Sequence, residues 1–337
     1  MKVGILAPVA WRTPPRQYGP WEQVASNVAE GMARAGHEVT LFATADSETA
    51  GTLRSVVARG YAEDGSVDPK VCEYLHIGAA MEYARELDVL HNHFDFMPLS
   101  VAPHLPVPMV TTIHGFSSEQ IVPIYRRYNA QQHYVSISDA DRHPDLDYAA
   151  TVYNGIDPAQ FTLNTDPDDY LLYFGRIHPH KGAKEAVAIA RQTGRRLIIA
   201  GLIQEQGYYD EYVAPHVDGA QITYVGNVGP QRRDTLLGNA AALLHPISFA
   251  EPFGLSVAES MFCGTPVIAF ALGAMPELIQ DGKTGFLANS VNEAIERVGE
   301  LATIDRTYCR THAARNFSLA QMVEGYEAVY KRALADR

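Results

Sequence analysis

Y-L-L-Y-F-G-R-I-H-P-H-K-G, residues 170–182, is a short apolar run closed by a glycine and followed by two cations, Arg176 and Lys181. An apolar run of this length suits a parallel strand covered on both faces. A loop leaving such a strand lies at the carboxyl edge of its sheet, where open α/β sheets bind ligands. Arginine offers a planar fork to phosphate oxygens and lysine a mobile point charge. Taken alone, the motif reads equally as a solvated surface loop.

The same grammar runs outward in both directions. Strand candidates in the first half are 3–8, 39–43, 89–91, 109–113, 134–137 and 151–153; the second half offers 171–174, 197–200, 222–225, 242–245 and 266–270. Helical patterns lie between them, such as 22–35 with Val24, Val28 and Met32 on one face and Gly36 as a stop. The alternation specifies α/β architecture with parallel sheets. Eleven strands are many for one open sheet, and residues 155–169, with two prolines and four aspartates, read as a linker. Two Rossmann-like lobes follow. A last helix begins at Ser318 in a capping box, with Leu319, Met322, Val323, Tyr326, Val329 and Tyr330 on its apolar face.

Composition narrows the function. The 337 residues suggest about two domains at ~150 residues each. A net charge of −12 argues against broad nucleic-acid affinity. Residues 1–150 hold 11 Lys/Arg against 18 Asp/Glu, which disfavours a basic membrane-docking face. Cys72, Cys263 and Cys309 are too scattered for a disulfide framework or a zinc cluster. With neither an apolar run of ~18 residues nor a leader-like start, the expectation is a cytoplasmic protein, monomer or homodimer, with no transmembrane segment.

Residues 249–264, F-A-E-P-F-G-L-S-V-A-E-S-M-F-C-G, set Glu251 eight positions before Glu259. Gly254 and Leu255 fall at the start of a helix, whose free N–H groups make an anion site. Two carboxylates flanking a phosphate cradle suit a nucleotide sugar. A hydrolase acid/base pair is the competing reading, but it leaves the cationic loop without a task.

With these motifs the chain resembles a family 4 glycosyltransferase of the GT-B fold, over nearly its whole length. The G-R-x4-K-G and E-x7-E motifs carry the resemblance, with support from T-x-H-G at 112–115 and N-G-I-D at 154–157. It implies two facing Rossmann-like domains with a deep interdomain cleft: residues 1–155 plus 316–337 for the acceptor, and 156–315 for the nucleotide sugar. It implies that Arg176 and Lys181 hold the diphosphate, that Gly254 and Leu255 give it backbone donors, and that Glu251 faces the sugar. Glu259 would take the ribose hydroxyls and His114 would contact the sugar. Anomeric configuration would be retained, the leaving phosphate oxygen helping to deprotonate the acceptor.

One departure falls in the first loop, W-R-T-P-P-R-Q-Y-G-P-W (11–21), where many members carry paired glycines and this chain has Gly19 alone. Gly19 is the matching donor-side position. Arg12, Arg16 and Tyr18 read as an acceptor platform, with an arginine meeting an anionic group; Trp11 and Trp21 either join it or pack beneath the loop. Asn227 lies either near the base or in a plain turn. H-N-H-F-D (91–95) lacks the further ligands a metal site needs and reads as structural or cleft-lining.

The resulting expectation is a hexosyltransferase using a UDP-glucose or GDP-mannose type of donor and a small-molecule or glycan acceptor. No cofactor and no obligatory metal are expected, because Arg176 and Lys181 neutralise the diphosphate. The alternatives are a GT-B-like sugar-nucleotide epimerase and a non-enzymatic two-lobed sugar-binding protein.

Overall fold

The apolar runs become strands buried along nearly their whole length, which is why the sheets they form are parallel and covered on both faces. The computed structural model describes residues 1–336; Arg337, the last residue of the expected segment 316–337, lies outside them. The chain divides into two compact units, Met1–Gly155 with Leu319–Arg337, and Ile156–Ser318.

The N-terminal unit holds β1 (Lys2–Leu6), β2 (Glu38–Phe42), β3 (Thr52–Arg54), β4 (Val89–Asn92), β5 (Met109–Ile113), β6 (His133–Ser136) and β7 (Tyr148–Thr151). They form one parallel sheet in the order β3-β2-β1-β4-β5-β6-β7. Gly19 caps the first helix, Pro20–Arg34, and Pro20 occupies a first-turn position where its missing N–H costs nothing. The helix Leu319–Ala335 buries Leu319, Met322, Val323, Tyr326, Val329 and Tyr330 in this unit. Asn27 Nδ2 donates to Gly155 O at 2.8 Å, and Gly155 N donates to Met322 Sδ at 3.0 Å, so the end of the unit's first segment is tied to both helices.

The C-terminal unit holds β8 (Tyr170–Phe174), β9 (Arg196–Ala200), β10 (Ile222–Tyr224), β11 (Ala242–His245), β12 (Val267–Phe270) and β13 (Gly285–Ala288). Their order is β10-β9-β8-β11-β12-β13, again all parallel.

Three local expectations are corrected. Two edge strands, β3 and β13, lie outside the expected set, because T-L-R has a single apolar residue and G-F-L-A opens on a glycine directly after the turn-like D-G-K-T. The strand expected at 151–153 lies earlier, at Tyr148–Thr151. Residues 155–169 are not a free linker. Ile156 bridges Ser318, Phe161 is buried, and Asp168 N donates to Asn239 O at 2.8 Å. Prolines and aspartates give this stretch the look of a linker, but its few apolar side chains and its backbone bonds pin residues 156–169 to the C-terminal unit.

Candidate functional site

In the C-terminal sheet the chain order reverses between β8 and β11, and loops leaving neighbouring strands at such a point diverge to open a crevice at their carboxyl ends. The two loops here are 175–182 and 246–254. They touch at Gly182, which has φ +78°; a Cβ there would stand 2.0 Å from Pro246 O, so only glycine permits the approach. Ser248 N donates to His180 O at 2.9 Å and locks the pair of loops.

That contact brings Lys181 to Glu251. Lys181 Nζ lies 2.5 Å from Glu251 Oε2, with side chains only 15% and 11% exposed. The ammonium also sits 4.6 Å from the centre of the Phe249 ring, and His245 Nε2 lies 3.5 Å from the same Glu251 oxygen. Burial alone would raise the Glu251 carboxyl, but His245 and Lys181 beside it outweigh burial and hold it at about 2.

Gly254, at φ +95°, opens the helix Leu255–Phe262, and among the described residues no side chain caps that start. A residue with a Cβ would be strained at this φ and would press on Met275 Cε at 2.8 Å. Val257 N already donates to Gly254 O at 3.0 Å, which leaves the N–H groups of Leu255 and Ser256 to an anion. One turn further on, Glu259 is buried and paired with Arg233 at 3.0 Å; burial raises its carboxyl while Arg233 partly opposes the shift. Arg176 is turned to another partner: its Nη1 donates to Gln204 Oε1 at 2.5 Å, and its carbonyl accepts from Tyr173 OH at 2.7 Å. Asn227 lies in the turn after β10, next to Gly226, whose carbonyl accepts from Gly201 N at 2.9 Å.

Lys181, Glu251 and the Gly254–Leu255 start thus gather at one crevice, while Arg176 and Glu259 keep separate partners. His245, Arg233 and Gln204 join the site from outside the sequence motifs. His245 carries a signal, being the polar end of the apolar run A-L-L-H at the same sheet edge. Arg233 and Gln204 carry none.

In the N-terminal unit Trp21 stacks on His114 with ring centres 5.6 Å apart, and His114 Nε2 lies 2.9 Å from His93 Nδ1. Trp11 meets Tyr18 edge-on at 6.2 Å. The loop arginines are already engaged by carboxylates: Arg12 with Glu48 at 3.0 Å, and Arg16 with Asp46 and Glu63, both at 3.1 Å. Among the described residues no three His, Cys, Asp or Glu side chains converge as metal ligands, and no helix is long and apolar enough to cross a membrane.

Residues 21–160 match the family model described as Glycosyltransferase Family 4, and residues 157–310 match that of Glycosyl transferases group 1. The chain is a family 4-like glycosyltransferase of the GT-B fold. The two matches of this glycosyltransferase meet at residues 157–160, close to the Gly155/Ile156 division between its units. It is 32% identical to the D-inositol 3-phosphate glycosyltransferase of Mycolicibacterium smegmatis over 226 residues, covering 61% of this chain and 51% of the relative; the chain thus spans about half that relative's length. AviGT4, a glycosyltransferase involved in avilamycin A biosynthesis, is 27% identical with a TM-score of 0.77, covering 100% of this chain and 99% of its own. Anabaena Alr3699/HepE, solved in complex with UDP and glucose, shares the fold at 18% identity and a TM-score of 0.76, over 98% of this chain and 99% of its own.

Proposed function

We propose that this glycosyltransferase moves a hexosyl unit from a nucleoside diphosphate sugar, of the UDP-glucose or GDP-mannose type, to an acceptor hydroxyl with retention of anomeric configuration. The observation that carries the reading is the buried Lys181–Glu251 pair beside the uncapped helix start at Gly254. Cation and backbone donors at one crevice suit a diphosphate, and the carboxylate suits the sugar attached to it. HepE, which shares the fold, was solved with UDP and glucose, and this supports a nucleotide sugar as donor.

Lys181 and Arg176 neutralise the diphosphate in place of a metal, while Gly254 and Leu255 supply N–H donors. Asn227, at the same sheet edge, is on the base side, and Glu259 takes the ribose hydroxyls. Glu251, held at about 2 and therefore ionised near pH 7, has no proton to give there as a general acid. It orients sugar hydroxyls and stabilises positive charge at the anomeric carbon. As the bond from that carbon to the phosphate oxygen breaks, the acceptor oxygen bonds on the same face, and its proton passes to the leaving phosphate. Catalysis is then positional and electrostatic. With Arg12 and Arg16 already paired to acids, an uncharged polyol or sugar suits the first loop better than a phosphorylated acceptor.

A donor panel with and without acceptor tests this. Transfer consumes donor fastest with acceptor present, an epimerase converts donor alone, and a binding protein consumes neither. The nucleotide that raises the Tm identifies the base, since a ligand at about 100 times its Kd adds ~2.7 kcal/mol. Failure of every nucleoside diphosphate to shift the Tm would overturn the reading.

A further inference from the structure

The transfer chemistry above leaves His91 and His93 unused, yet they are bonded to His114 in an unbroken chain. His114 Nε2 lies 2.9 Å from His93 Nδ1, and His93 Nε2 lies 3.3 Å from His91 Nδ1. His91 Nδ1 is also 2.6 Å from Tyr330 OH, and His91 Nε2 is 2.7 Å from Thr112 Oγ1. The chain is assembled from the end of β4, the end of β5 and the last helix, three segments of the N-terminal unit.

Burial pushes all three rings below the usual imidazole range, and for His93 its two neighbours add to the shift. Each ring is therefore neutral near pH 7, with one N–H and one bare nitrogen. The hydrogen bonds decide which nitrogen is which. Tyr330 is fully buried, and among the described residues its hydroxyl meets only His91 Nδ1. A buried phenol hydrogen left unpaired is costly, so the phenol donates and His91 Nδ1 accepts. His91 then carries its hydrogen on Nε2, towards Thr112 Oγ1. His93 Nε2 faces the same bare Nδ1 and carries a hydrogen in turn, which leaves His93 Nδ1 to accept from His114 Nε2–H. Polarity set at Tyr330 thus ends in a bare Nδ1 on His114, a half-buried residue whose Nδ1 has no partner among the described residues. Trp21, stacked on the ring at 5.6 Å, holds its plane.

We propose that His91 and His93 are positioning residues which, with Tyr330, fix His114 as its Nε2–H form and so present a bare Nδ1 as acceptor for a ligand hydroxyl. That the hydroxyl belongs to the donor sugar rests on the function proposed above; the form of the ring does not. His114 is thereby a fixed hydrogen-bond acceptor and not a proton carrier.

Long-range 1H–15N spectra of the whole protein labelled at histidine distinguish bare from protonated ring nitrogens, and substitution of His91, His93 or His114 assigns each signal. The expected result is hydrogen on Nε2 of His114 and of His93. Hydrogen on Nδ1 of His114 overturns the proposal. His93→Leu, which removes the acceptor for His114, should lower kcat about 10–100-fold, whereas His93→Gln, whose amide oxygen can still accept, should recover most of it. Wild-type kcat in folded His93→Leu also overturns the positioning role. Should His93→Leu not fold, the spectra and His93→Gln still decide. If instead His114→Ala leaves donor turnover unchanged, the donor contact fails, and the wild-type spectrum still tests the polarity of the chain.

Discussion

Lys181 and Glu251, seventy residues apart in sequence, share a buried contact of 2.5 Å between the ends of two adjacent central strands. Before a diphosphate arrives, each is the other's counter-ion. Removing one partner leaves an uncompensated buried charge, which costs about 3–5 kcal/mol, while replacing both with apolar groups of similar size is often neutral. Glu251→Gln should therefore lower the Tm, and Lys181→Met with Glu251→Leu should restore most of the loss without restoring turnover. Differential scanning calorimetry beside a donor assay checks both halves. A double variant no more stable than the single one would mean that the pair is not coupled.

Arg176 keeps its guanidinium against Gln204, and its fork is free to turn only if the substrate offers more than the amide does. Arg176→Ala and Lys181→Ala should each lower kcat/KM by about 10²–10³, the scale of one lost preorganised electrostatic group. Arg176→Lys should remain impaired, because lysine lacks the two-pronged geometry. Wild-type steady-state kinetics in both alanine variants would remove the phosphate assignment.

Glu251 and Glu259 should fail differently. Glu259 lies buried against Arg233, one turn into the helix, and is assigned to the unreacting ribose. Its loss should raise donor KM and weaken sugar-free nucleotide binding, as for any contact equal in ground and transition states. Glu251→Gln should lower kcat yet bind nucleoside diphosphate at least as tightly, since Lys181 is released to the phosphates. Isothermal titration of nucleotide into both variants separates the roles, and the opposite pattern would reverse them.

The strands that frame this site are legible in the sequence because Y-L-L-Y-F and A-L-L-H are largely apolar runs followed directly by Gly175 and Pro246, residues that belong to neither strand nor helix interiors. Their adjacency is not, because it depends on which parallel strands pair, and on Gly182 lying against the Pro246 carbonyl. Hence the motifs single out both Lys181 and Glu251 without marking them as partners, and His245 passes as the last residue of a core strand. The histidine chain is hidden for the same reason. H-N-H reads as packing, and its outer anchor, Tyr330, is 239 residues away. The arginines of the first loop show their charge in the sequence but not the three carboxylates that already hold it.

Burial of so many histidines in one unit should make the protein acid-sensitive well above the usual carboxylate range. His76 is held at about 4 and His114 at about 3, and His91 and His93 lie well below their ordinary value, in each case chiefly through burial. For a histidine whose folded pKa is below its unfolded value of 6.5, the unfolded chain binds more protons between the two, so stability is lost as pH falls below 6.5. Three carboxyls act the other way: burial raises Glu22 to about 7, Asp95 to about 6 and Glu259 above its ordinary value, so the folded state holds their protons and gains stability as pH falls. With His133, His178 and His312 also held below their ordinary value, seven histidines against three carboxyls leave a net loss between pH 6.5 and 5. Each unbalanced group contributes at most about 1.4 kcal/mol per pH unit. The Tm should therefore drop steeply across that window in low-salt buffer. His76→Gln is the internal control. The imidazole contacts Ala7 O through Nε2 at 2.8 Å, a bond an amide can replace without titrating, so the slope should flatten by about 1.4 kcal/mol per pH unit. A Tm that is flat or rises as pH falls from 6.5 to 5 would show that these rings are not held neutral by burial.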